Sequence, residues 1–126
     1  MARFISVIRK DISNSSGSPT AIITGSTNSS GVPASTYGVV LSILASNKNA
    51  NSQHVSVQLI KAGGTGNEVV GSLITSGIIP SQSSLEFMTG NKMIVEPGDW
   101  IKAYATAASA IDITVSYMLN PQDTSI

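Results

Sequence analysis

Cysteine is absent from the 126 residues, which excludes a disulfide framework, a thiolate zinc site and a thiol nucleophile. Histidine occurs once, as His54. It stands on the polar side of an alternating stretch, where a lone imidazole is expected to be a surface residue and not a base. The many serines leave Ser-His-Asp combinations open, but no GxSxG elbow occurs and "HVSV" has strand context. Charge is scarce at 11%, with seven basic and seven acidic residues and a net charge of zero. The bases Arg3, Arg9, Lys10, Lys48, Lys61, Lys92 and Lys102 are spread along the chain. Neither a nucleic acid nor an anionic membrane is therefore an expected partner. No apolar run reaches the length of a signal peptide or a membrane span.

The scattered carboxylates leave only an oxygen-ligand metal site. Glu96 and Asp99 flank one turn, and two acids rarely suffice for calcium. Glycine-rich "GGTGNEVVG" has Gly64 and Gly66 in GxG spacing, but Val69 breaks the dinucleotide fingerprint, and no Gly-Lys-Ser/Thr follows any glycine. No catalytic residue, metal or cofactor is expected, and the chain reads as a non-enzyme.

What the sequence does hold is hydroxyl: 21 Ser and 10 Thr beside 41% apolar residues. Such a composition fits a β-rich surface with hydroxyls between apolar positions. It also fits a protein that assembles, because neutral surface costs little to desolvate. Strand signals recur about every ten residues. "ARFISVIRK" opens the series, followed by "TAIIT" and by "TYGVVLSILAS", the last nearly continuous in apolar residues and read as a buried central strand. In "HVSVQLIKA", Val55, Val57 and Leu59 alternate with His54, Ser56 and Gln58. "GGTGN" is expected to be a hairpin loop. "EVVGSLIT" follows, its Gly71 suggesting a bulge or a close contact, and "SGIIPSQSS" is read as a connection. "SLEFM", "KMIVE" and "WIKAYAT" come next. "IDITVSYML" closes the series with Ile111, Ile113, Val115, Tyr117 and Leu119 on one face.

The expected fold is all-β, an antiparallel β-sandwich, jelly-roll-like, with about eight strands. The division expected is an N-terminal strand or arm with a Ser-rich linker over 1–19, a sandwich domain over 20–120 and a polar tail over 121–126.

The stretch "VEPGDWIKAY" gathers the only tryptophan with a tyrosine and two acids. Pro97 presets φ for a turn, Gly98 allows positive φ and Asp99 can bond nearby amides, so these three are expected to form a corner. Trp100 and Tyr104 fall on one face at i and i+4 with Lys102 between them. They suit the core, a subunit interface or a platform for a sugar ring.

The C-terminal half resembles a family of small β-sandwich virion proteins of tailed phages, many of them carried by cyanophages and other marine bacterial viruses. In that family a "VPAGSSL" connection precedes "K-apolar-apolar-L-E-x-GD-x-I-x-A", and a "DVTVSY" strand closes the chain. Pro80 with Ser83-Ser84-Leu85, Lys92 to Asp99, and Asp112 to Tyr117 match these pieces. The resemblance covers roughly residues 36 to 119 and is carried by turn chemistry and alternation. It implies a virion structural protein: a capsid decoration (cement) protein, or a tail, neck, baseplate or fibre component. It further implies a homo-oligomer, commonly a trimer, located on the virion and partnered with the major capsid protein or another virion protein. A carbohydrate-binding module is the remaining alternative. The candidate assembly or ligand contacts are Phe4, Ile5, Arg9, Trp100 and Tyr104, with Ala2 to Pro19 expected to reach a neighbouring subunit.

Overall fold

A computed structural model describes residues 3–15, 17–24, 31–60, 70–87 and 93–121, without the side chains of 70 and 72. These described residues hold nine strands: β1 (Arg3–Arg9), β2 (Thr20–Ile23), β3 (Thr36–Asn47), β4 (Gln53–Ile60), β5 (Val70–Ile79), β6 (Ser84–Glu86), β7 (Met93–Val95), β8 (Trp100–Ala105) and β9 (Ile111–Pro121). The glycine-rich stretch expected to form a hairpin loop and the polar tail after Pro121 lie outside the described residues.

All strand pairings between these elements are antiparallel. One sheet runs β1-β9-β3-β6, with β7 also paired to β3; the other runs β2-β8-β4-β5. If β6 and β7 are taken as two halves of one strand on β3, this is the strand order of a jelly roll. The expected sandwich is therefore the observed architecture, and consecutive strands alternate between its two layers as far as β4.

Alternation decides which residues face the core. Along β9 the burial pattern alternates without a break, and Ile111, Ile113, Val115, Tyr117 and Leu119 are buried. They meet Ile101, Ala103 and Ala105 of β8 and Val55 and Val57 of β4 in one cluster. Central β3 differs from its expected burial on both faces. A bulge at Leu41 shifts its register against β9, so Gly38 and Val40 point inward before it, and Ile43, Ala45 and Asn47 after it. One strand thus changes the parity of its inward positions midway, which is why its sequence looks continuously apolar. Val39 and Leu44 are left half-buried on the outer face.

The bulge expected at Gly71 lies further along β5. Gly71 pairs in register with Leu59, and the shifts fall between Ser72 and Ile74 and between Ile74 and Gly77. At the second shift the Ser76 amide donates to Ser56 Oγ at 2.9 Å. A side chain on Gly77 would overlap the Ile74 side chain, which would have to shift to admit it. Because the bulges absorb the irregularity, "SGII" continues the strand to Ile79 where a connection was expected.

Candidate functional site

The corner before β8 is built from hydrogen bonds. Asp99 N donates to Glu96 O at 3.0 Å, closing a four-residue turn. Gly98 at its third position has φ 90°, the value a type II turn requires there. Asp99 is 1% exposed, and its Oδ2 accepts the Glu96 amide at 2.8 Å. This carboxylate satisfies the backbone of its own turn. Among the described residues no three His, Asp or Glu side chains stand together in a way that could hold a metal ion.

Trp100 is not in the core. Along β8 the inward positions are Ile101, Ala103 and Ala105, so Trp100, Lys102 and Tyr104 share the outer face, each half-buried. Lys102 Nζ lies 4.5 Å from the centre of the Trp100 ring, a cation–π contact of about 0.5–1 kcal/mol at an exposed site. The lysine occupies one face of the indole. Trp100 and Tyr104 stand four positions apart along the strand, about 13 Å, too far for both to stack on one sugar ring.

The β1 residues divide between two sides. Ile5 is half-buried and packs against the core cluster. Arg9 also falls on the inner side and donates from Nε to Ala21 O of β2 at 3.2 Å, lacing the two sheets along one edge. Phe4 points outward and is 73% exposed, with Ile8 on the same side at 60%. The five expected contacts are therefore not brought together: Phe4 lies on the outside of one sheet, Trp100 and Tyr104 on the outside of the other, and Ile5 and Arg9 face between them.

Register reveals a surface that sequence reasoning had not assembled. Phe4 pairs with Met118, Met118 with Val39 and Val39 with Ile94, which is 49% exposed. These four side chains form an apolar row across four strands on the outer face of the β1 sheet. Beside it runs a row of small hydroxyls, Ser6–Ser116–Ser42, and beyond that Ile8–Thr114–Leu44–Glu86. Glu86 is tied to its own sheet, accepting Ser42 Oγ at 2.7 Å and Ile43 N at 3.1 Å. The signal for this surface was the double-sided apolar pattern of "FISVI", in which Phe4 and Ile8 are out of phase with Ile5 and Val7.

The ionic groups at the other end of this face are also committed. Lys48 Nζ lies 2.7 Å from Asp11 Oδ1 and 3.0 Å from Asp112 Oδ1. The hydrogen bond from Lys48 holds the Asp11 carboxyl below its usual range, and the two carboxylates raise the Lys48 ammonium. His54 is exposed on β4, opposite Ile78 of β5. A cleft of about 250 Å³ lies among Arg3, Pro33, Thr36, Leu119, Asn120 and Pro121. It is smaller than the roughly 300–1,000 Å³ of typical small-molecule sites.

The sequence matches no protein-family model and no curated protein. Solved structures are similar in fold at very low identity. A chain of the Bacillus endospore appendages, which form disulfide-linked pili, is 10% identical with a TM-score of 0.49, over 98% of this chain and 88% of its own. A chain of the T13 particle of infectious bursal disease virus is 6% identical with a TM-score of 0.49, over 96% of this chain and 31% of its own. A chain of the Gx strain of that virus is 6% identical with a TM-score of 0.50, over all of this chain and 34% of its own. The chain thus spans about a third of the two viral chains. At such identity the likeness concerns the sandwich fold alone.

Proposed function

We propose that this chain is a non-enzymatic virion structural protein, specifically a capsid decoration protein that bridges adjacent capsomers. The observation that carries this reading is the distribution of chemistry over the surface. Asp11, Glu86, Asp99 and Asp112 are spent on turns, bulges and one lysine. Three of the four exposed large apolar side chains among the described residues, Phe4, Ile8 and Ile94, instead collect on one sheet. A surface of that kind is cheap to desolvate and suits assembly. The resemblance of residues 36 to 119 to tailed-phage virion proteins supports the same reading. The mechanism is passive: burying surface at capsomer junctions adds binding free energy that opposes rupture of the shell.

Labelling the protein in intact virions and imaging heads and tails tests the reading. Label over the heads is the expected result; label confined to tails moves the chain to a tail, neck, baseplate or fibre role, and no label on virions removes the reading. The N-terminal segment is proposed to contribute to capsid contact. Truncation does not test this cleanly, because β1 pairs with β9 along its whole length and Ile5 and Val7 pack on the core; Phe4→Ser and Ile8→Ser, which change only exposed side chains, do.

A further inference from the structure

We infer that the outer face of the β1 sheet is the docking surface for a second copy of this chain, packed sheet against sheet about a two-fold axis. The inference rests on the reading of the chain as an assembling structural module, and it names the surface and the occupant. Three of the four exposed large apolar side chains among the described residues, Phe4, Ile8 and Ile94, lie on this face; the fourth, Ile78, lies on the other sheet.

The relief of the face selects the occupant. The row Phe4–Met118–Val39 stands as a ridge, and the row Ser6–Ser116–Ser42 beside it is a groove of small side chains. The two rows are separated by two residues along the strands, about 7 Å. A two-fold axis lying in the face, parallel to the rows and midway between them, carries each ridge onto the other copy's groove. Phe4 then sits over Ser6 of the partner subunit, Met118 over Ser116 of the partner subunit and Val39 over Ser42 of the partner subunit. A surface that places its own complement one row away is suited to itself, as an isologous contact requires.

Charge and size agree with that occupant. The two carboxylates on the face, Glu86 and Asp112, already have partners within the chain. The ridge and groove rows themselves carry no charged side chain, so a second copy brings no charge against them. With the axis level with Tyr117, the two copies overlap over Ile113 to Pro121, about 27 Å along β9 by about 19 Å across four strands, roughly 500 Å² of plane. That is below the ~800 Å² each partner gives to a standard interface and fits a weak, concentration-dependent dimer. Two sheets facing each other in this way adopt the usual spacing of about 10 Å.

The absence of cysteine makes the test clean. Phe4→Cys and Ser6→Cys proteins are oxidised mildly, separately and mixed. A covalent dimer formed in the mixture and not in either protein alone is the expected result. No covalent dimer in the mixture, or equal cross-linking in the separate proteins, overturns the inference. Sedimentation equilibrium supplies the second measurement. Phe4→Ser and Ser116→Tyr, which lower the ridge and fill the groove, are each expected to weaken self-association about tenfold or more. Ile78→Ser is expected to leave it unchanged, and circular dichroism confirms that each variant is folded. A monomer at all concentrations, an edge-paired dimer or a trimer indifferent to both face substitutions overturns the proposal. Label on virion heads together with any of those outcomes would remove this surface and keep the structural role.

Discussion

Lys48 Nζ stands 2.7 Å from Asp11 Oδ1, joining the end of β3 to the residue at which the chain leaves β1. Asp11 has φ 57°, a left-handed conformation uncommon outside glycine. Its amide donates to Asp112 Oδ1 at 3.0 Å, so both the backbone and the side chain of this residue are held. The lysine and two aspartates fix the path by which the chain passes from one sheet to the other.

This cluster sets a pH dependence with a defined sign. The folded carboxyl of Asp11 titrates below its usual range because of the Lys48 hydrogen bond. Its contribution is present above the ordinary aspartate range and is lost as pH falls through the depressed value. Lys48 is raised, so its contribution is present below the ordinary lysine range and is lost as pH rises through the raised value. The cluster is therefore expected to be intact from about pH 5 to pH 9. NMR titration of the Asp11 carboxyl checks it, and Lys48→Met should return that carboxyl to the ordinary range.

The Glu96–Asp99 corner gives two separable substitutions. Gly98→Ala forces a side chain into φ 90° and is expected to cost about 1–2 kcal/mol. Asp99→Ala removes the acceptor of the Glu96 amide and is expected to cost about 1–3 kcal/mol. Urea unfolding should show lower midpoints with an unchanged slope in both cases. A midpoint equal to wild type for Asp99→Ala would show that water replaces the carboxylate without loss.

Asn47 is a polar latch at the end of β3. Its Nδ2 donates to Asn51 O at 2.9 Å and to Ile79 O and Pro80 O at 3.1 Å, while its Oδ1 accepts Asn49 N at 2.8 Å. Asn47→Leu keeps similar volume and leaves these groups without their partner, so a loss of about 2–3 kcal/mol is expected. Asn47→Asp turns donors into acceptors facing carbonyls and should be at least as damaging. Thermal unfolding of the two variants beside wild type decides the order.

Tyr117 supplies the alkaline counterpart. Burial pushes its phenol above the ordinary tyrosine range. Its contribution is present below that range and lost as pH rises through the raised value. Absorbance titration should show a phenol step above the ordinary tyrosine range, and Tyr117→Phe should abolish that step while the protein stays folded.

Much of the fold was legible because period-2 alternation is a direct record of one buried face. β9 was readable residue by residue, and the Pro-Gly-Asp corner followed from turn chemistry alone. In β4 the alternation held for Val55 and Val57, but Ser56, expected on the polar side, is buried and its Oγ accepts the Ser76 amide at the β5 bulge. The bulges were not legible: nothing in "VVLSIL" marks Leu41 as the extra residue, since its neighbours are apolar on both sides. The same holds for β5, where Ser76 takes φ 52° and lets a serine-glycine pair stay within a strand. Surface placement was harder still. Trp100 and Phe4 look alike as isolated aromatics, and only strand register puts one beside Lys102 and the other in line with Met118, Val39 and Ile94.

The order of the strands also governs when the protein can fold. β1 waits for β9, β2 for β8, and β3 for β6, β7 and β9. Only β4 finds a neighbour, β5, that follows it directly in the chain. During synthesis the first three strands therefore emerge with no sheet partner until the stretch beginning at Ser84 has been made. Assembly of the sandwich is a late and non-local event, of the kind that takes milliseconds to seconds. Fragments ending before β8 would carry several unsatisfied strand edges and a strong tendency to aggregate.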